Sequence, residues 1–263
     1  MRFAIVLVVA LALGSPLSGQ VNDAPAYTAA GIVNAADNQA GPLAPNTIVS
    51  LYGVRLSYNT AAIDPSDISG DVLPTVLPGT GVHVSVGNLA ANIYYVSPGQ
   101  INFLVPAILL PGKTTVQVVL EGHSGPAVDI TLAAASPALF QLDAQNAVAV
   151  RPDGSVITLQ APAKPGEIVL LYATGLGQTL PPVPYGQIFN QAAPLEQFAD
   201  FKLMLDGVTA GSGAVEYAGI APGFAGLYQI NIMLPESTKT NPEIQIGFGK
   251  QLSMPGIHLP VEP

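Results

Sequence analysis

Gly122-His123-Ser124-Gly125-Pro126 sets a serine beside a histidine between glycines, the residue types that nucleophilic hydrolysis uses. Its spacing departs from the Gly-x-Ser-x-Gly elbow and no strand-to-helix transition follows, so a hairpin turn accounts for the segment. His83, His123 and His258 are far apart in the chain, with no His-x-x-x-His pair and no cysteine, which gives a zinc site no support. Asp64, Asp67 and Asp71 fall in the densest acidic segment, Asp64-Pro65-Ser66-Asp67-Ile68-Ser69-Gly70-Asp71. Oxygen-bearing side chains this close can wrap a hard cation, so calcium is the one cofactor to consider, although the spacing is not that of an EF-hand. The plainer reading is a solvated loop whose Asp and Ser make local turns. Glycoside hydrolysis needs two carboxylates facing each other in a cleft, and the sequence offers many carboxylates and no cleft.

Aromatic and amide residues are the remaining candidates. Gln100-Ile101-Asn102-Phe103-Leu104-Val105-Pro106 returns as Gln229-Ile230-Asn231-Ile232-Met233-Leu234-Pro235. In an extended chain Ile101, Phe103 and Val105 share one face while Gln100 and Asn102 take the other, and Gln229 and Asn231 behave likewise. These amides either line a sugar-binding face or satisfy the backbone of a neighbouring loop, as buried polar groups must. Tyr94 and Tyr95 lie just before the first amide pair, and Tyr217, Phe224 and Tyr228 before the second. Tyrosine stacks on sugars in a chain that has no Trp, so all five are candidate binding residues. One of Tyr94 and Tyr95 points inward if their strand is regular. Phe224, Leu227 and Tyr228 belong to a stretch between Pro222 and Gln229 that is longer than its counterpart between Pro98 and Gln100. It forms either a binding edge or a cap on the open end of a sandwich.

The elements that must position these residues are strands. Val82, Val84 and Val86 alternate with His83 and Ser85, and Phe201, Leu203 and Leu205 alternate with Lys202 and Met204. Ile48 to Tyr52 and Ile168 to Tyr172 are more continuously apolar, as central strands are. Gly87-Asn88, Pro152-Asp153-Gly154 and Asp206-Gly207 supply hairpin turns, and no window free of Gly and Pro carries a long helical period. Pro45 to Tyr52 matches Pro165 to Tyr172 at a separation of about 120 residues, too long for a solenoid unit, so each copy is a domain with its own core. The pattern predicts an all-β chain of two tandem immunoglobulin-like β-sandwich domains, residues 20–135 and 136–263, with a pair of small barrels as the alternative. Leu56 to Gly81 and Gly177 to Pro194 read as long loops.

Arg2 followed by the apolar run Phe3 to Leu13 and then Gly14, Ser15, Pro16, Ser18 and Gly19 reads as a signal peptide over residues 1–19. The run falls short of the roughly 20 residues that span a bilayer, so no membrane span is expected after cleavage. Without cysteine an exported domain must be held by burial alone. The net charge of −9, with only 8 basic residues, leaves nucleic acid an unsuitable partner. Charged residues make up 10% of the chain, which defends its surface poorly against association and points to a surface meant to be covered.

Four motifs in order give the chain a family likeness: Gly31 to Ala36, Tyr95 to Asn102, Leu171 to Gly177, and Tyr217 to Phe224. It resembles the uncharacterised secreted C-terminal domain family abundant in acidobacteria such as Solibacter, over nearly the whole mature chain. The resemblance implies immunoglobulin-like modules of the IPT/TIG kind, and it carries no catalytic residue over. The expectation is a secreted, non-enzymatic structural or adhesive module, located outside the cell or at its surface. Its partner is an extracellular protein, an envelope component or a neutral polysaccharide, and self-association is a further outcome. A polysaccharide-binding module is the alternative, and an extracellular hydrolase the one behind it.

Overall fold

Alternating apolar and polar residues leave one face of an extended chain to be buried, and two such faces closing on each other make a sandwich. The computed structural model describes residues 23–211 and 213–262, so the signal segment 1–19 lies outside the described residues. The first copy contains β1 (Ala26–Asn34), β2 (Ile48–Val54), β3 (Val82–Val86), β4 (Asn92–Val96), β5 (Gln100–Leu104), β6 (Gly112–Leu120) and β7 (Val128–Leu132). The second contains β8 (Ile168–Thr174), β9 (Phe201–Leu205), β10 (Val215–Ile220), β11 (Tyr228–Met233) and β12 (Ile244–Phe248).

Antiparallel pairing orders β1-β2-β5-β4 in one sheet of the first copy and β7-β6-β3 in the other. In the second copy β8-β11-β10 faces β9-β12. There the short strand Ala138–Leu139 stands beside β8 as β1 stands beside β2, Gln251–Leu252 stands beside β12 as His123–Ser124 stands beside β6, and the Ile244 N–H donates to Ile257 O at 2.7 Å where β6 meets β7 in the first copy. These are the A-B-E-D and G-F-C sheets of the immunoglobulin-like sandwich, built twice. Val49, Leu51, Ile93, Ile101 and Phe103 meet Val84, Val116 and Val118 in the first core. Val169, Leu171, Ile230 and Ile232 meet Leu203, Ile244 and Ile246 in the second. The Asp206-Gly207 turn, with φ of 50° and 74°, has the two left-handed residues that a tight hairpin between Leu205 and Val208 requires.

The duplication holds to the residue. Ile48 pairs with Leu104 and Tyr52 with Gln100 in the first copy, and Ile168 pairs with Met233 and Tyr172 with Gln229 in the second. Even the bulge recurs, between Ile93 and Tyr95 and again between Val215 and Tyr217. A bulge resets the inward-outward alternation. Ile93 therefore faces the core, Tyr95 stands opposite Asn102 on the outer face, and Tyr94 is the extra residue.

A third apolar cluster joins the two sandwiches. Leu73, Leu104 and Ala225 are buried together, with Ile48, Ile63, Tyr94 and Ile188 against them. Leu104 and Ile48 occupy the outward positions at one end of β5 and β2, so the second copy covers apolar side chains that the first leaves outside its own core. The loops 56–81 and 177–194 meet here. Val72 bridges Gln187, the Leu73 N–H donates to Gly186 O at 2.9 Å, and the Ile188 N–H donates to Asp71 O at 2.7 Å. Gly226 has a φ of 67°, and a Cβ on it would strike Leu104 Cδ1 and come within 3.0 Å of the Asn46 carbonyl oxygen. Gly226→Ala is expected to destabilise the protein by about 2 kcal/mol, through strain at positive φ and overpacking. Urea denaturation of the two forms checks this as a drop in midpoint at unchanged slope.

Candidate functional site

The outer face of the β2-β5-β4 sheet carries a polar and aromatic array. Tyr52 stands opposite Gln100, while Ser50 and Tyr95 flank Asn102 on its two sides. Gln100 Nε2 donates to Asn102 Oδ1 at 2.8 Å, and Ser50 Oγ donates to the same oxygen at 3.1 Å. Tyr52, 41% exposed, donates its hydroxyl to Asn38 Oδ1 at 3.0 Å. The amides thus bind each other and a serine, and not the backbone of a neighbouring loop, one of the two expectations for them. Among the described residues, neither Gln100 Oε1 nor Asn102 Nδ2 forms a hydrogen bond with the protein, so the pair keeps an acceptor oxygen and a donor amide NH2 for something else.

The second copy repeats the array. Tyr172 stands opposite Gln229 and Tyr217 opposite Asn231, and Gln229 Nε2 donates to Asn231 Oδ1 at 2.7 Å. Gln229 Oε1 and Asn231 Nδ2 are again without a protein hydrogen bond among the described residues. The Tyr217 hydroxyl donates to Ile220 O at 2.8 Å. Beside the array Leu170 replaces Ser50, and the exposed Glu216 occupies the bulge where the first copy has Tyr94. Sequence reading missed Tyr52 and Tyr172. Their signal was present, since the two copies share Ile-Val-x-Leu-Tyr at this strand, with the tyrosine on the face opposite the core.

The structure divides the five aromatic candidates. Tyr95 and Tyr217 belong to the arrays. Tyr94 turns to the joint, where its hydroxyl donates to Ala225 O. Tyr228 is 0% exposed, so it is closed to any ligand. Its hydroxyl donates to Gly177 O and accepts from Asn46 Nδ2 at 3.3 Å, which binds the second copy to the first. Beside it Thr174 Oγ1 accepts the Ile48 N–H at 3.0 Å and donates to Gly226 O at 2.8 Å. Phe224 remains 51% exposed on the long loop of the second copy, next to the buried Ala225. That loop reaches the other domain, a role between the two expected for it.

In the acidic segment Asp64 caps a short 3-10 turn at Pro65–Asp67. Its carboxylate accepts from the Ser66 N–H and hydroxyl, and Asp67 accepts the Asp64 N–H at 2.9 Å. The Ser66 hydrogen bonds hold the Asp64 carboxyl below the usual carboxylate range. Asp71 gives its carbonyl to the joint. Among the described residues no three His, Cys, Asp or Glu side chains gather in a way that holds a metal ion, Asp64, Asp67 and Asp71 included. His123 and Ser124 are exposed on a short hairpin strand against Val119 and Leu120.

No known family profile and no curated protein matches this chain. Among solved structures it is similar to SGBP-B of the Bacteroides ovatus mixed-linkage glucan utilization locus in complex with a mixed-linkage heptasaccharide. The identity is 11% and the TM-score 0.36, over 92% of this chain and 47% of that one. It is similar also to the Escherichia coli adhesin FdeC, at 14% identity and a TM-score of 0.26 over 88% and 63%. The I9–I11 tandem of titin follows at 10% and 0.25 over 90% and 65%. The chain spans about half the length of the first of these. Likeness at this level says nothing of what this chain binds.

Burial pushes the Tyr94 and Tyr228 hydroxyls above the usual tyrosine value. The folded protein keeps both protons where an unfolded chain releases them. Their contribution to stability is therefore full below about pH 10 and is lost as pH rises, by up to about 1.4 kcal/mol per pH unit for each ring. Alkaline denaturation of the protein and of Tyr94→Phe/Tyr228→Phe tests this. The double variant starts less stable at pH 8 by about 2 kcal/mol, having lost two buried hydrogen-bonding hydroxyls, and declines less steeply above pH 10.

Proposed function

We propose that this chain is an exported, non-enzymatic module that binds at a cell surface or in the extracellular matrix, with its two sandwiches acting as one body. The observation that carries this reading is the joint. A domain pair connected for flexibility needs few contacts, whereas here buried aliphatic side chains, a backbone bridge and the Tyr228 and Thr174 hydroxyls all tie one copy to the other. Fixed geometry serves a protein that presents surfaces to a partner.

Absence of turnover fits the placement of the reactive groups. The carboxyls held below the usual range, Asp64, Asp143 and Asp153, each accept hydrogen bonds from residues two or three further on in their own turns. Catalytic acids are instead shifted where several groups converge. A surface low in charge suits a partner that is itself neutral or largely apolar.

The labelled mature chain is expected to be retained saturably by envelopes and matrix isolated from the producing cells, and to release no product from ester, peptide or glycoside substrates. Turnover abolished by substituting a single carboxylate or Ser124 would overturn this reading, and so would a failure of saturable retention.

A further inference from the structure

We propose that each sandwich carries a binding site for neutral polysaccharide on its outer face, built from Tyr52, Gln100, Asn102 and Tyr95 in the first copy and from Tyr172, Gln229, Asn231 and Tyr217 in the second. The proposal rests on the reading of the chain as a surface-binding module and gives that module a ligand class and an address.

Retention of these four residues is the first argument. The copies have diverged inside as well as outside: Phe103 becomes Ile232, Leu104 becomes Met233, Ser50 becomes Leu170 and Gly53 becomes Ala173. Yet the same four side chains occupy the same four register positions, on a face that points away from both cores. Outer-face positions of a sandwich accept most polar residues without loss of stability, so the fold alone does not demand this set.

Chemistry is the second. The internal amide bond leaves a carbonyl oxygen, on Gln100 or Gln229, beside an amino group, on Asn102 or Asn231. An adjacent acceptor and donor match a pair of neighbouring sugar hydroxyls, each of which gives one hydrogen bond and takes another. The tyrosine rings on the flanking strands offer apolar faces to the C–H faces of pyranose rings. In the first copy the side chains from outside the set that hydrogen-bond these four side chains are Ser50 and Asn38, both uncharged, which suits an uncharged glycan.

Spacing is the third. Strands lie about 4.8 Å apart and rise about 3.4 Å per residue, so Tyr52 and Tyr95, on the strands either side of β5 and one side-chain row apart, are roughly 12 Å from each other. That separation fits an oligosaccharide segment lying along the sheet and exceeds a single sugar. Because the joint fixes the two copies, one long chain that meets both arrays gains effective concentration at the second. The first array, with Ser50 and without a charge in its bulge, carries the larger share of the affinity.

Affinity electrophoresis through gels containing mixed-linkage β-glucan, xyloglucan or galactomannan, with polygalacturonate as the charged control, tests the proposal. Retardation by at least one neutral polymer is expected, and none by polygalacturonate. Tyr52→Ala/Tyr95→Ala is expected to weaken binding about tenfold, Tyr172→Ala/Tyr217→Ala less, and the quadruple variant to abolish it, with Tm as the control for folding. Should the alanine variants fail to fold, Gln100→Glu/Gln229→Glu is isosteric, replaces the amide that donates to Asn102 or Asn231 with a carboxylate that cannot, and adds charge, and it is expected to lose retardation. The proposal is overturned if no neutral polymer retards the protein, if polygalacturonate retards it more, or if the folded quadruple or double-Glu variant migrates as the parent does. Retention on envelopes that survives those substitutions leaves the surface-binding reading standing and removes the polysaccharide site from it.

Discussion

A phenol hydroxyl closed off from water, that of Tyr228, sits where the two sandwiches meet, and its hydrogen bonds to Asn46 and Gly177 require both domains to be in place. A buried hydroxyl with no partner costs about 1–3 kcal/mol, so this group accepts few arrangements of its surroundings. Thr174 imposes the same condition from the end of β8, since it takes the Ile48 N–H from one domain and gives its proton to Gly226 in the other. Around these two hydroxyls the aliphatic joint closes. Leu104 and Ile48, outward-facing in their own sheet, are covered by Leu73, Ile63 and Tyr94 of their own copy and by Ala225 of the second, where a glycine's missing Cβ leaves room. Most other features follow from that contact, including the pairing of the two long loops and the fixed relation between the two outer faces.

The same contact explains how a cysteine-free chain with 10% charged residues avoids exposing the apolar end of its first sheet. Hydrophobic burial in each core stabilises each sandwich, and burial between them removes a surface that would otherwise invite association. What remains outside on that sheet is the tyrosine and amide array, polar enough to be wetted and aromatic enough to be useful. Duplication makes the array bivalent, and the joint makes the bivalence rigid.

Sequence alone carried the fold a long way. The Gln-x-Asn repeat and the shared Ile-Val-x-Leu-Tyr strand located the central pair of each sandwich, and the copies keep one register across them. Three things were not legible. A single extra residue at Tyr94 reverses the parity of the strand, so alternation could not say which of Tyr94 and Tyr95 faces outward; the pairing partners of β4 decide it. Contacts between domains also leave no periodic trace. Tyr228 has Gly99 in its place in the first copy, and nothing in its neighbours announces that its ring enters the core while its hydroxyl meets Asn46. The stretches 56–81 and 177–194 read as long loops with nothing to pair them, because the hydrogen bonds that join them span more than a hundred residues. The Gln–Asn bonds were hidden in a different way: side chains two apart on one face of a strand can bond each other, but the sequence gives no preference between that and a loop.

The central claim, that two sandwiches form one body, is most directly tested by a distance distribution across the joint. The chain has no cysteine, so His83→Cys and Lys202→Cys, at exposed positions on β3 and β9, introduce the only two sites for spin labels. Pulsed electron spin resonance on the doubly labelled protein should give one narrow distance, unchanged by dilution. A broad or multimodal distribution would mean that the domains reorient freely, and it would contradict the account.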